Sequence, residues 1–146
     1  MIDVTELNLK NEEDLDFVME CWHKDCVYHS QFDPELYKDY LEVGKSHKKF
    51  IQENPFKFFS LEVNRQRVGD IGVVVKDNVL WINDMFVFEG YRGKGYGKYL
   101  VLYVILNLNW RGKPVKVKAH YKNLRTIKFY KSFGFMDVLP TNPVKK

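Results

Sequence analysis

The stretch Val87-Phe-Glu-Gly-Tyr-Arg-Gly-Lys-Gly-Tyr-Gly97 constrains the chain more than any other segment. It joins a strand-like run, Val79–Phe88, to an almost wholly apolar run, Lys98–Leu108, through Gly93, Gly95 and Gly97. Glycine tolerates positive φ and lets a ligand approach the main chain closely. Successive N–H groups in such a turn, with the helix N-terminus behind them, converge on one spot and suit an anion. Arg92, Lys94 and Lys98 add positive charge. Two common phosphate loops do not fit. No GxxxxGK[ST] spacing exists, and GxGxxG needs one residue more than the GxGxG present. That second motif also needs an acid about 20 residues on, where Lys113-Pro-Val-Lys116 stands. Taken alone, the turn also admits a plainer reading, a left-handed connection with no ligand.

The apolar period orders the rest. Ile2–Leu9 alternates and reads as a strand. Asn11 reads as an N-cap, with Glu12, Glu13 and Asp14 in the first turn. Asp33-Pro34 starts a second helix, with Leu36, Tyr37, Tyr40 and Leu41 on its apolar side. Phe56–Val63, Val68–Lys76 and Val79–Phe88 read as strands, with hairpin turns at Arg65-Gln66 and Asp77-Asn78. After the apolar helix come a strand at Val115–Tyr121, a helix at Asn123–Phe133 and a last strand at Phe135–Leu139. A meander followed by strand–helix–strand crossovers predicts an α/β chain with a mixed sheet and helices on both faces. At 146 residues it reads as one domain, 1–146, with 140–146 as a flexible tail.

The turn also fits [Q/R]xxGx[G/A] after an aliphatic strand end, as Arg92-x-x-Gly95-x-Gly97. Downstream, Asn123-Leu-Arg-Thr-Ile-Lys-Phe-Tyr-Lys-Ser-Phe-Gly-Phe135 sets an Asn before an aromatic–Tyr pair and a Gly-Phe. Together the two segments resemble the GNAT superfamily of acyl-coenzyme A-dependent N-acetyltransferases, over roughly Gly69 to Asp137. The first half resembles the family in element order only. The resemblance implies a GNAT-like fold, with a mostly antiparallel sheet and two strands splayed apart. It implies acetyl-CoA as acyl donor and no metal. Met85, Phe86 and Val87 would pair with the pantetheine arm, and Arg92, Gly93, Lys94, Gly95, Tyr96, Gly97 and Lys98 would surround the pyrophosphate. Asn123 would bond the arm, and the Tyr130 hydroxyl would sit beside the sulfur.

The implied reaction is direct attack of a primary amine, on a small molecule or peptide, upon a thioester. An alkyl ammonium has a pKa near ~10.4 and must lose a proton first. The departing thiolate must gain one. Tyr130 is the candidate acid; the plainer alternative is a core tyrosine beside Phe129 and Phe133. Asp84 is the candidate base; the alternative is a capping or salt-bridged carboxylate. Ile82-Asn-Asp-Met-Phe-Val87 is similar to the strand of polyamine-type acetyltransferases, with Asn83 where a Glu is expected, and an amide is no base. Another position where relatives carry Glu is Lys118 here. Lys116, Lys118 and His120 either share a strand face suited to a carboxylate or phosphate on the acceptor, or form a solvated basic edge. Trp22, Tyr28, Tyr37 and Tyr40 fall where the family builds its acceptor wall, while helical spacing makes them core by default. His23, His29 and His47 receive no role.

The net charge of +4 favours anionic ligands without pointing to nucleic acid. A basic nucleic-acid module and a non-catalytic acyl-CoA sensor remain as other readings. Cys21 and Cys26 lack a metal-ligand pattern and read as reduced thiols of a cytoplasmic protein. The start has no positive segment followed by an apolar one, so no signal peptide is expected, and no membrane partner. The expected assembly is a monomer or homodimer.

Overall fold

The computed structural model describes residues 1–141. Strand β1 (Ile2–Glu6) leads into helices α1 (Glu12–His29), α2 (Pro34–Glu42) and α3 (Gly44–Glu53). Strands β2 (Lys57–Val63), β3 (Gln66–Lys76) and β4 (Val79–Val87) form the meander. Then follow α4 (Tyr96–Asn107), β5 (Val115–His120), α5 (Leu124–Lys131) and β6 (Met136–Thr141).

The helix starts follow the chemistry of their caps. Asn11 accepts the N–H of Asp14 at 3.0 Å, and Asp33 accepts that of Leu36 at 3.3 Å with Pro34 in the first turn. Arg67 of β3 grips Asp14 at 2.7 Å and pins the start of α1 to the sheet. Helix α3 is the one element the sequence reading lacks. It has no side-chain cap, and its sequence, Gly-Lys-Ser-His-Lys-Lys-Phe-Ile-Gln-Glu, is mostly polar. Tertiary packing selects it instead: Ile51 is fully buried in one cluster with Phe58.

The strands stack in chain order, β1 to β6, as one sheet. The first three pairings are antiparallel; β4–β5 and β5–β6 are parallel. The first hairpin turns on Asn64 and Arg65, both at positive φ, one residue earlier than Arg65-Gln66. The second turns on Asp77 (φ 53°) and Asn78 (φ 61°), as their residue types favour. The expected tail at 140–146 needs correcting at its start. Pro140 and Thr141 pair with Ala119 and His120 as the end of β6, and proline is tolerated there because β6 is an edge strand. Residues 142–146 lie outside the described residues.

Two features of β4 create the site. Its pairing with β5 runs only from Leu80↔Val115 to Ile82↔Val117, although β4 continues to Val87 and β5 to His120. Beyond Ile82 the two strands separate. On its other side, β4 pairs with β3 through Val73↔Ile82 and then Gly72↔Asp84, so Asn83 is an extra residue. Such a bulge reverses the alternation of side chains. Ile82 joins the cluster of α4, with Leu100, Val101 and Val104. After the bulge, Asp84 lies opposite Gly72, on the face that carries Phe58 and α1. Gly72 cannot carry a side chain, because a Cβ there would overlap the Phe58 ring.

Candidate active site

Where β4 and β5 part, a cavity of about 560 Å³ passes through the sheet. Its walls come from α1, α2, β4, the glycine turn, the start of α4, β5 and α5. One end is basic and built from main chain. The other is acidic and aromatic.

The basic end is the glycine turn. Gly93 (φ 76°) and Gly95 (φ 83°) are left-handed, and a Cβ on either would meet nothing within 4 Å. Gly95 caps α4 with no side-chain hydrogen bond, so the first N–H groups of the helix keep their donors for an anion. Gly97 fits closely, since a Cβ there would approach Phe129 to 3.3 Å. Lys98 lines the cavity from α4, and Arg125, Thr126 and Ser132 line it from the α5 segment. Open space at Gly93 and Gly95, a bare helix N-terminus and these cations suit a pyrophosphate. The unpaired stretch of β4 beyond Ile82 suits an extended amide-bearing arm.

Arg92 takes another place than that of a free cation. Its Nε donates to the Val87 carbonyl at 2.7 Å. Its guanidinium lies 5.0 Å from the Tyr28 ring and 4.8 Å from that of Phe86. It braces α1, β4 and the turn against one another. Lys94 is exposed, 6.0 Å from the Tyr91 ring, and does not line the cavity.

The acidic end holds Asp25 of α1 and Asp84 of β4, with Asp70 of β3 buried behind the cavity wall. Burial and then the charge of Asp25 push the Asp84 carboxyl up to about 7, although Asn83 bonds it. Asp70, 2% exposed, is raised well above the ordinary carboxylate range by burial and then by Asp84 and Asp25. The Tyr130 phenol is raised by burial, then by Asp25 and Asp84, and so stays protonated. Tyr130 packs in the cluster of α4, opposite the face that carries α1. Asp84 and Tyr130 therefore line the same cavity from opposite faces of the sheet, across the gap between the strands. Burial also raises the thiols of Cys21 and of Cys26, the latter to about 12; both cysteines are free.

The structure thus brings Asp84, Met85, Phe86, Val87, Arg92, Gly93, Gly95, Tyr96, Gly97, Lys98 and Tyr130 around one cavity. Asn123 does not line it. Its Oδ1 caps α5 by accepting from Thr126 N–H at 3.1 Å, and its Nδ2 lies 3.1 Å from His29 Nε2. Lys118 and His120 line the cavity, but they differ. Lys118 is exposed, 5.6 Å from the Trp81 ring. His120 is buried and accepts the Lys122 N–H on Nδ1, which leaves Nε2 to donate to Asp33 at 3.3 Å.

Sequence reasoning missed Asp25 and Asp70 and gave His29 no role. Two signals could have found the acids. Asp25 follows Val18 and Cys21 at helical spacing, on the buried stripe of α1. Asp70 interrupts the apolar run Val68-Gly-Asp-Ile-Gly-Val-Val74, where a solvated carboxylate has no place.

Among the described residues, no set of His, Cys, Asp or Glu is grouped as a metal site, and no helix is long and apolar enough to cross a membrane. The family model for an acetyltransferase (GNAT) domain matches residues 54–137. An uncharacterised N-acetyltransferase of Methanocaldococcus jannaschii is 29% identical over 134 residues, covering 86% of this chain. This chain spans 58% of that relative's length. The fold is similar to that of the PaiA N-acetyltransferase of Thermoplasma acidophilum, solved with coenzyme A: TM-score 0.73, 17% identity, 91% of this chain and 88% of that one. It is also similar to the aminoglycoside N-acetyltransferase AAC(6')-Iy, solved with a bisubstrate analogue: TM-score 0.65, 15% identity, 100% of this chain and 98% of that one. With the turn, the splayed strands and the matched region in agreement, the chain belongs to the GNAT acetyltransferase-domain family.

Proposed function

We propose that the chain transfers an acetyl group from acetyl-CoA to a primary amine of a small molecule or peptide, by direct attack. The observation that carries this reading is the gap between β4 and β5, which opens from the bare N-terminus of α4 at one end to Asp84 and Tyr130 at the other. Gly93–Lys98 hold the pyrophosphate through main-chain N–H groups. Met85, Phe86 and Val87 offer main chain to the pantetheine arm. The thioester supplies an electrophilic carbonyl carbon and a thiolate leaving group.

Asp84 takes a proton from the incoming ammonium, directly or through water. A carboxylate titrating at about 7 is a better match to that task near neutral pH than an ordinary one. Asp25, in the same wall, keeps the site attractive to a cation. The amine nitrogen bonds to the acetyl carbon as the carbon–sulfur bond breaks. Tyr130, protonated at neutral pH because burial and both acids hold its proton on, gives that proton to the sulfur. The acetylated nitrogen passes its remaining extra proton to the Tyr130 oxygen, directly or through water, which restores the phenol. Asn123 acts in this account by capping α5 rather than by touching the arm. The M. jannaschii relative carries the N-acetyltransferase name, and both structures were solved with coenzyme A or an analogue containing it. We place the protein in the cytoplasm, as a monomer or homodimer.

The test has two steps. Coenzyme A should raise the melting temperature while unrelated nucleotides do not. Free thiol should then appear from acetyl-CoA when amines, polyamines, amino acids and peptides are screened. Binding of coenzyme A with no thiol release from any amine would leave a binding module instead.

A further inference from the structure

His29 lies where the end of α1 meets the start of α5, and neither Asp84 nor Tyr130 chemistry gives it a task. Its Nδ1 is 2.9 Å from the main-chain oxygen of Asp25 and 3.1 Å from the Oδ1 of the same residue. Its Nε2 is 3.1 Å from Asn123 Nδ2. The Asn123 amide has one orientation only. Its oxygen accepts the Thr126 N–H at 3.1 Å as the cap of α5, and an amide nitrogen cannot accept that bond. The amide nitrogen therefore donates to Nε2, which must carry a lone pair. The proton of the neutral ring is then on Nδ1, where both Asp25 oxygens receive it.

One protonation state satisfies every contact. An imidazolium would set Nε2–H against the N–H of Asn123. The groups that face the ring are Asp25 and Tyr28 of α1, Phe32 after it, Tyr37 of α2 stacked at 5.3 Å, and Asn123. Burial lowers the ring's affinity for a second proton and Asp25 more than offsets this. The Asn123 N–H acts in the opposite direction to Asp25. Helix α5 is only Leu124–Lys131, so a turn of its cap moves the whole helix, including Tyr130 two turns along.

We propose that His29 is a positioning residue for acyl transfer: as the Nδ1–H tautomer it ties Asp25, in the acidic wall, to the cap of α5, and so sets Tyr130 against Asp84. The inference rests on the acyl-transfer reading of the cleft. No proton passes through the ring, so the balance of the reaction is unchanged.

The first measurement needs no turnover. Nitrogen-15 NMR of the His29 ring in the whole protein, at about pH 8, is expected to show a protonated Nδ1 and a bare Nε2. A protonated Nε2 or an imidazolium overturns the proposal. The second uses kinetics. His29→Phe keeps a ring and removes both nitrogens. It is expected to lower kcat about tenfold, to leave KM for acetyl-CoA within about twofold, and to speed amide exchange at Thr126. His29→Gln restores an acceptor for Asn123 and is expected to recover most of the loss, with its acidic limb of activity still set by Asp84. Wild-type kcat in His29→Phe, or unchanged Thr126 exchange, overturns the proposal. If His29→Phe does not fold, His29→Gln and the wild-type ring spectrum decide it. Absence of turnover with every amine, alongside the expected tautomer and exchange, would sink the acyl-transfer reading and leave the tether standing.

Discussion

Replacing Asp84 with Asn should stabilise the fold while slowing catalysis, and the gain in stability should depend on pH. The carboxyl has its pKa raised from 3.8 to about 7, chiefly by burial and next by Asp25. A carboxyl with a raised folded-state pKa binds its proton more tightly in the folded chain. Its contribution to stability is whole below the unfolded value and is lost as pH rises through the folded value. The window thus runs from about pH 4 to about pH 7. At ~1.4 kcal/mol per unit, the full loss above that window is about 4 kcal/mol. At about pH 5 less than half of that is lost. Asp84→Asn removes the charge and keeps the size. Urea unfolding at the two pH values should show the variant more stable at both, with the larger gain at the higher pH. Equal gains at both values, or a loss at the higher one, would refute the burial argument. In the same variant kcat/KM should fall about 10²–10⁴-fold. The wild-type profile should rise through about pH 7 to a plateau, a limb the variant lacks.

Other substitutions probe the remaining parts. Tyr130→Phe keeps the packing against Phe129 and should cut kcat about 100-fold, with coenzyme A affinity nearly unchanged by calorimetry. Gly95→Val places a β-branched residue at φ 83° and should weaken coenzyme A binding while lowering stability by roughly 1–3 kcal/mol. Arg92→Ala removes the brace to Val87 and the stacking on Tyr28 and Phe86. It should raise KM for acetyl-CoA several-fold with a smaller change in kcat. Asn123→Ala removes the cap of α5 and should cost about 1 kcal/mol in thermal unfolding.

The donor end of the site was legible because its chemistry is local. Three glycines, a strand before them and an apolar helix after them lie within one short segment, and the period of apolar residues places it. The β4–β5–α5–β6 crossover was legible for the same reason. The acidic end was not, because it is assembled across the sheet. Asp25, Asp70 and Asp84 come from α1, β3 and β4, and the bulge at Asn83 decides which face Asp84 takes. A period-2 reading without that bulge points Asp84 toward α4. His29 looked inert because its partners, Asp25 and Asn123, include one residue from the far end of the chain. Helix α3 escaped notice because a single buried side chain, Ile51, holds a polar segment to the sheet.

The most direct test of the account is a single-turnover experiment with carbon-labelled acetyl-CoA, excess protein and an amine found in the screen. The cleft predicts label on the amine nitrogen, one free thiol per label transferred, and no labelled protein at any time. Label appearing first on the protein, or thiol released with no acetylated amine, would contradict direct transfer between β4 and β5.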